Sequence, residues 1–117
     1  MSALSDNSTG LEAALSQAAR LLPGQPRLAA AQTAEILKVL PEQPNALLLH
    51  ALASARLGEL PSALLQLQHL LRLRPGWHSA HYELGMLYKR MGLGDQALDS
   101  LRQSVALKPD SAKTWLA

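Results

Sequence analysis

Histidines are the residues of this 117-residue chain best suited to metal binding or proton transfer near neutral pH, and it has four of them. His78 and His81 lie three residues apart, so on a helix both rings would project from one face. No carboxylate or third histidine stands at a helical spacing that would complete a metal site, and we predict none. We expect His81 and His50 to be packed, hydrogen-bonded core histidines and His69 to lie at the surface.

Sequence patterns typical of catalytic centres do not occur. There is no G-x-x-x-x-G-K phosphate loop, no H-E-x-x-H and no G-x-S-x-G. Gly92 and Gly94 form a turn between two apolar patterns, not a phosphate cradle after a strand. The acidic residues are scattered, and with no cysteine there is neither a thiolate ligand nor a cysteine nucleophile. We predict that this chain by itself is not an enzyme and holds no cofactor.

Composition indicates an all-α class. The hydrophobic content of 48% comes mostly from Leu and Ala, which are strong helix formers, and no segment alternates like a strand. The net charge of +2 is dispersed, which predicts no nucleic-acid partner. The N-terminus lacks the features of a signal peptide, and the most apolar run, residues 45–55, is far shorter than the ~20 residues of a membrane helix. We therefore expect a soluble, cytoplasmic protein without a membrane partner.

Landmark residues recur along the chain at a spacing of 34 residues. They are a proline (Pro41, Pro75, Pro109), a glycine (Gly24, Gly58, Gly92) and an alanine (Ala29, Ala63, Ala97). Between Pro75 and Pro109, two apolar patterns with helical steps of three and four residues flank the glycines. A period of this length is typical of stacked helical hairpins.

In the last full repeat, the landmarks are His81, Leu84 with Gly85, Tyr88, Gly92, Ala97, Leu101 and Pro109. With these residues the chain resembles the tetratricopeptide repeat (TPR) family over about residues 10–117, most clearly in its second and third repeats. The resemblance implies three helix–turn–helix hairpins stacked as a right-handed α-solenoid, plus the start of a further helix. Gly85 and Ala97 are small where the two helices of the hairpin should cross closely.

The resemblance also sets the expected boundaries. They are a disordered N-terminus (1–9), a degenerate first repeat (10–43), a second repeat (44–77), a third repeat (78–111), and a stub of a fourth repeat or capping helix (112–117). Thr9 and Glu12 form a candidate capping box for a first helix beginning near Leu11. Thr33 stands in the first repeat where the later repeats have Leu67 and Leu101.

The end of the sequence raises the question of what covers the last repeat. An array of this kind needs a terminal helix over the apolar face of its last unit. Trp115 falls where the next repeat of the family carries its tryptophan. We expect the chain to be a fragment of a longer protein. The alternative is a homodimer that covers the exposed face of the C-terminal repeat.

The first helix of each repeat is the expected binding surface. The resemblance implies a peptide-binding groove lined by Asn45, Leu48, Leu49, Leu52 and Arg56 in the second repeat and by Ser79, Tyr82, Glu83, Met86, Lys89 and Arg90 in the third. Leucine and methionine would hold an apolar anchor, and the cations would attract an acidic group. Lys89 and Arg90 are equally explained as an ordinary cationic last turn.

Binding of acidic chaperone tails is not expected. The clamp of Lys, Asn and Arg residues that the family uses for them is replaced by Ala14, Ala18, Leu49, Ser79 and Glu83. The leading hypothesis is a scaffold that binds a peptide segment of an unidentified protein. The alternatives are the accessory N-terminal region of a larger, sulfotransferase-like bacterial enzyme, which the chain resembles from Ala18 onward, and a self-association module.

Overall fold

The computed structural model describes residues 8–107, and over these residues the regular secondary structure is α-helix, without strands. The helices are α1 (Ser8–Leu21), α2 (Pro26–Val39), α3 (Pro44–Arg56), α4 (Leu60–Leu73), α5 (His78–Arg90) and α6 (Gly94–Leu107). This confirms the predicted all-α class and the hairpin pattern. Within residues 8–107, none of the helices combines the length and apolarity needed to cross a bilayer.

The first helix begins earlier than predicted. Thr9 lies inside α1, which is already helical at Ser8, so the cap predicted at Thr9 is wrong. Of the N-terminal segment predicted for residues 1–9, residues 1–7 lie outside the described residues. The predicted stub of a fourth repeat, 112–117, lies outside them too, together with residues 108–111 of the third repeat.

Prolines and glycines set the helix ends. Pro26 and Pro44 occupy the first helical positions of α2 and α3, where a missing N–H costs no hydrogen bond. Gly58 and Gly92 follow α3 and α5 with φ of 83° and 79°, in the left-handed region that glycine adopts without steric cost. The residue after each glycine closes the turn, because its N–H donates to the carbonyl five residues earlier. These bonds run from Glu59 to Ser54 and from Leu93 to Tyr88, both at 2.9 Å.

The chain divides into two compact units, Met1–Gln66 and Leu67–Ala117, and the boundary falls within α4. In the first unit, α1 packs on α2, and α3 packs on both of them. The core of this unit includes Leu22, which directly follows α1, Ala29 on α2 and Ala53 on α3. Small alanines at these positions let the helix backbones approach closely.

A polar contact lies beside this core. Thr33 is fully buried on α2, and its hydroxyl lies 3.0 Å from the carbonyl oxygen of Ala29 and 2.7 Å from Nδ1 of His50 on α3. The hydroxyl therefore has partners on both helices, which removes the cost of burying it. The other two repeats have leucine at this position. Thr33 joins α2 to α3 there by a hydrogen bond instead of by the apolar contact that a leucine would make.

In the second unit, α5 packs against α6 at the predicted close crossing. A Cβ atom placed on Gly85 would lie only 2.8 Å from Cγ and Cδ2 of Leu101 and 3.2 Å from the carbonyl oxygen of Ala97. The two helices approach as closely as they do because residue 85 has no side chain. A buried hydrogen bond joins the same pair of helices, since the hydroxyl of Ser104 donates to the carbonyl of His78 at 2.9 Å.

Candidate peptide-binding faces on α3 and α5

The predicted groove residues of the second repeat share one face of α3. Their spacings of three, four, seven and eleven residues place them within an arc of about 100° on a helix of 3.6 residues per turn. We call this set the α3 face: Asn45, Leu48, Leu49, Leu52 and Arg56. Asn45 and Arg56 at its two ends are exposed, and the leucines between them are half-buried.

The leucines of the α3 face are not all equally available to a partner. Leu49 and Leu52 pack against the core cluster formed by Leu22, Ala29 and Ala53. Part of each leucine is therefore committed to holding α3 in the first unit. A ligand on this face would meet the outer parts of these side chains together with Leu48.

The predicted groove residues of the third repeat share the corresponding face of α5. We call this set the α5 face: Ser79, Tyr82, Glu83, Met86, Lys89 and Arg90. Tyr82 is 47% exposed, which is high for an aromatic side chain, while Met86 is half-buried. Lys89 and Arg90 are exposed in the last helical turn, where the helix dipole favours cations.

The two faces repeat one arrangement of chemical groups. Each begins with a small polar side chain (Asn45 or Ser79) and ends with a cation in the last turn. The groups between the ends are leucines on α3, and on α5 they are Tyr82, Met86 and the carboxylate of Glu83. A tyrosine with an exposed ring adds a larger apolar surface on α5. Each face can therefore contact an apolar side chain and, one to two turns away, a carboxylate.

The histidines serve the structure around these faces. Nε2 of His81 lies 2.8 Å from the carbonyl oxygen of Pro75, and because a carbonyl can only accept, Nε2 carries the proton. This bond ties α5 to the loop before it. Burial lowers the pKa of His50 below its ordinary value, and the carbonyl of Ala30 and the charge of Glu59 oppose that shift. The predicted hydrogen-bonded state is confirmed for His50 and His81. His69 is half-buried, not at the surface.

His78 and His81 do not gather further metal ligands around them. Within the part of the chain that the structure describes, no three His, Cys, Asp or Glu side chains are grouped so that they could hold a metal ion. The bond from His81 to Pro75 also occupies one of the two ring nitrogens that a metal would use.

One surface was only partly foreseen from the sequence. On α6, the apolar pattern that predicted the helix is exposed on its outer side, with Leu98 at 48% and Val105 at 70%. We call the surrounding set the α6 outer face: Leu98, Leu101, Arg102, Val105 and Ala106.

Comparisons with known proteins agree with this architecture. No protein-family model and no curated protein matches the sequence. Among solved structures, the chain is similar to MamA, with a TM-score of 0.75 and 22% identity over 91% of this chain and 63% of that one. It is also similar to a mutant O-GlcNAc transferase of Thermobaculum terrenum, with a TM-score of 0.81 and 27% identity over 88% of this chain and 20% of that one.

Two observations together identify the fold: the 34-residue period of the helical hairpins and the similarity to these solved structures. The chain has a TPR-type helical repeat fold. It spans less than two thirds of MamA and a fifth of the O-GlcNAc transferase, so the activities of those whole proteins do not pass to it through this match. A TPR-type fold supports a role as a protein-interaction scaffold in general.

Proposed function

We propose that this TPR-type chain binds a peptide segment of another protein through the α3 and α5 faces. The observation that carries the proposal is the repeated order of groups along both helices, from small polar through mainly apolar to cationic, with Glu83 as the acidic member of the α5 face. A segment with an apolar anchor followed by an acidic side chain complements either face. We propose no catalytic role for this chain by itself.

The anchor is expected at α5. Tyr82 offers an exposed aromatic ring with few rotatable bonds, which gives contact area at a low cost in conformational entropy. Met86 lies one turn further along, and an unbranched thioether adapts to irregular apolar side chains. The cations at the end of each face then select an acidic group on a segment bound to that face and accelerate its association at low salt.

A direct test uses fluorescent peptides that pair a leucine or phenylalanine with a glutamate one to two helical turns away, followed by anisotropy. Tyr82→Ala is expected to weaken the binding of such a peptide by about 1–2 kcal/mol, roughly five- to thirty-fold. Arg56→Glu and Lys89→Glu are each expected to weaken binding by about tenfold at low ionic strength and less at high salt.

The matched control is Arg72→Glu. Arg72 is an exposed cation in the last turn of α4. Arg72→Glu therefore makes the same change of charge at a helix end as Arg56→Glu and Lys89→Glu, but at a residue that belongs to neither the α3 face nor the α5 face. If Arg56→Glu and Lys89→Glu bind the peptides no more weakly than Arg72→Glu, the assignment of these faces is wrong. Peptides with lysine in place of glutamate give the complementary check, because charge reversal on the protein should then improve binding.

A second candidate is an accessory region of a larger transferase. It is favoured by the similarity to the O-GlcNAc transferase, because this chain matches 20% of that enzyme's chain. The encoding reading frame beyond codon 117 tests it. A downstream strand, glycine-rich loop and helix would support a sulfotransferase-like enzyme, whereas further 34-residue repeats would count against it.

A further inference from the structure

An apolar stripe runs along the α6 outer face. Leu98, Leu101 and Val105 follow one another at steps of three and four residues, and they line a shallow depression of about 400 Å³. Leu98 is 48% exposed, and Val105, at 70%, is the most exposed large apolar side chain in the described part of the chain. An exposed apolar stripe of this kind indicates a surface that binds another surface.

Two opposite charges border this stripe on one side of α6. Asp95 and Arg102 are exposed and stand seven residues apart, so they lie about two helical turns from each other on the same side of the helix. Their separation of about 10 Å along the axis exceeds that of the i, i+3 and i, i+4 pairs that form within a helix. Among residues 8–107, neither side chain has an ion-pair partner. Both charges can therefore bind opposite charges of another molecule.

The apolar part of this face recurs in the first repeat, where another helix covers it. At the positions 68 residues before the stripe, α2 has Ala30, Thr33 and Leu37. Thr33 is fully buried there and the other two are half-buried, because α3 packs on α2. An apolar stripe at these positions is thus a feature of the repeat.

The charges, by contrast, form an opposite pair only on α6. The residues 34 and 68 positions before Asp95 are Pro61 and Arg27, and those before Arg102 are Gln68 and Ala34. The packing of α3 on α2 therefore takes place without such a pair. A partner that fits α6 better than a further helix of this kind has an apolar stripe bordered by the same two charges in reverse order.

A second α6, packed antiparallel across a two-fold axis, has this arrangement. If Leu98 of one copy lies opposite Leu101 of the other, then Val105 lies opposite Gly94. Gly94 is exposed, and a Cβ there would meet nothing within 4 Å, so the branched side chain of Val105 has room. The same register brings Arg102 of one copy to within about 3 Å, along the axis, of Asp95 of the other. Symmetry forms this charge pair twice.

A parallel pair of α6 helices does not satisfy the charges. Each Asp95 would then be level with the other Asp95, and about 10 Å along the axis would still separate it from either Arg102. The side of α6 that faces α5 cannot form the contact instead, because Ala97 and Ser104 are buried there. The charges therefore favour the antiparallel arrangement.

We propose that two copies of this chain associate through their α6 outer faces, packed antiparallel, with Arg102 of each copy paired with Asp95 of the other. One helix per copy gives an interface smaller than the ~1,600 Å² of a standard stable complex, so the dimer is reversible, with a dissociation constant in the micromolar range. The contact shares no residue with the α3 and α5 faces. It is therefore independent of peptide binding at those faces.

Sedimentation equilibrium of the 117-residue chain from low to high micromolar concentration measures the association. The parent chain is expected to pass from monomer to dimer over this range, and Val105→Glu to remain a monomer. Val39→Glu is the matched control, since it adds the same charge at a valine that is 47% exposed on α2, and it should dimerise like the parent. A parent chain that stays monomeric, or a dimer that Val105→Glu leaves intact, overturns the proposal.

A charge swap tests the register and does not depend on Val105→Glu folding. Arg102→Asp has acidic side chains at both positions and Asp95→Arg has basic ones, so each variant alone should dimerise at least about tenfold more weakly than the parent at low salt. An equimolar mixture should form the heterodimer with about the affinity of the parent, because every charge then meets its opposite. Restored association in the mixture supports the proposal, since misfolded variants would not recover it. A mixture that associates no better than the separate variants overturns it.

Discussion

Replacing Gly85 with alanine tests the closest helix approach in the second unit. The new Cβ would lie 2.8 Å from two carbons of Leu101 and 3.2 Å from the carbonyl oxygen of Ala97. Alanine is the better helix former by about 1 kcal/mol, whereas overpacking of this kind costs about 1–3 kcal/mol. The new Cβ would press on the branched carbon of Leu101 and on a backbone oxygen, and neither can move away easily. We therefore expect the steric cost to exceed the gain in helix propensity. Gly85→Ala should lower the free energy of unfolding by about 1 kcal/mol.

A glycine-to-alanine substitution at Gly94 serves as a control that distinguishes the steric effect from the effect of helix propensity. A Cβ on Gly94, the first residue of α6, would meet nothing within 4 Å. Gly94→Ala should therefore be neutral or raise stability by up to about 1 kcal/mol, because it restricts the unfolded chain. The two variants are chemically identical changes with opposite expected signs.

Urea unfolding followed by far-UV circular dichroism measures both variants, with midpoints compared at an unchanged m-value. Leu101→Ala removes the clashing atoms, so the double variant Gly85→Ala/Leu101→Ala should lose less stability than the sum of the single variants, by about 1 kcal/mol. If Gly85→Ala is as stable as the parent, or the two losses simply add, then residue 85 is not what limits the approach of α5 to α6.

Other variants probe the turns and the buried polar contacts by the same unfolding measurement. Gly92→Ala should cost about 1–2 kcal/mol through its left-handed backbone alone, and Gly92→Asn should cost less; equal losses would contradict this. Thr33→Val keeps the shape but leaves Nδ1 of His50 without its partner, which should cost about 1–3 kcal/mol; a neutral result would mean that the contact contributes nothing. Because burial lowers the pKa of His50 below 6.5, its contribution is complete above that pH and is lost as the pH falls through 6.5 toward the lowered value. The parent should lose more stability on acidification than His50→Gln, and parallel pH profiles would refute this. Ser104→Ala removes the hydrogen bond to the carbonyl of His78 and should cost about 1 kcal/mol, with Ser104→Thr as the variant that keeps a hydroxyl.

Much of this fold is determined by short-range features that the sequence displays. Pro26 and Pro44 mark helix starts because their fixed φ and missing N–H suit the first helical turn. Gly58 and Gly92 mark helix ends because only glycine adopts a left-handed φ without steric cost. A different set of prolines (Pro41, Pro75 and Pro109) recurs every 34 residues together with the glycines, and this period predicted the hairpins and their TPR-type fold. The order of groups along the α3 and α5 faces follows from helical periodicity alone.

The tertiary structure decided which apolar side chains of each helix face are packed against another helix and which are exposed. Leu48, Leu49 and Leu52 look equivalent in the sequence, yet Leu49 and Leu52 pack against the core cluster of the first unit. Leu98 and Val105 follow the same apolar pattern as covered residues of α2, yet both are exposed on α6. Periodicity places a side chain on a helix face, because that depends on the backbone of its own segment. Burial depends on the helix that lies opposite, and that neighbour comes from a distant part of the chain.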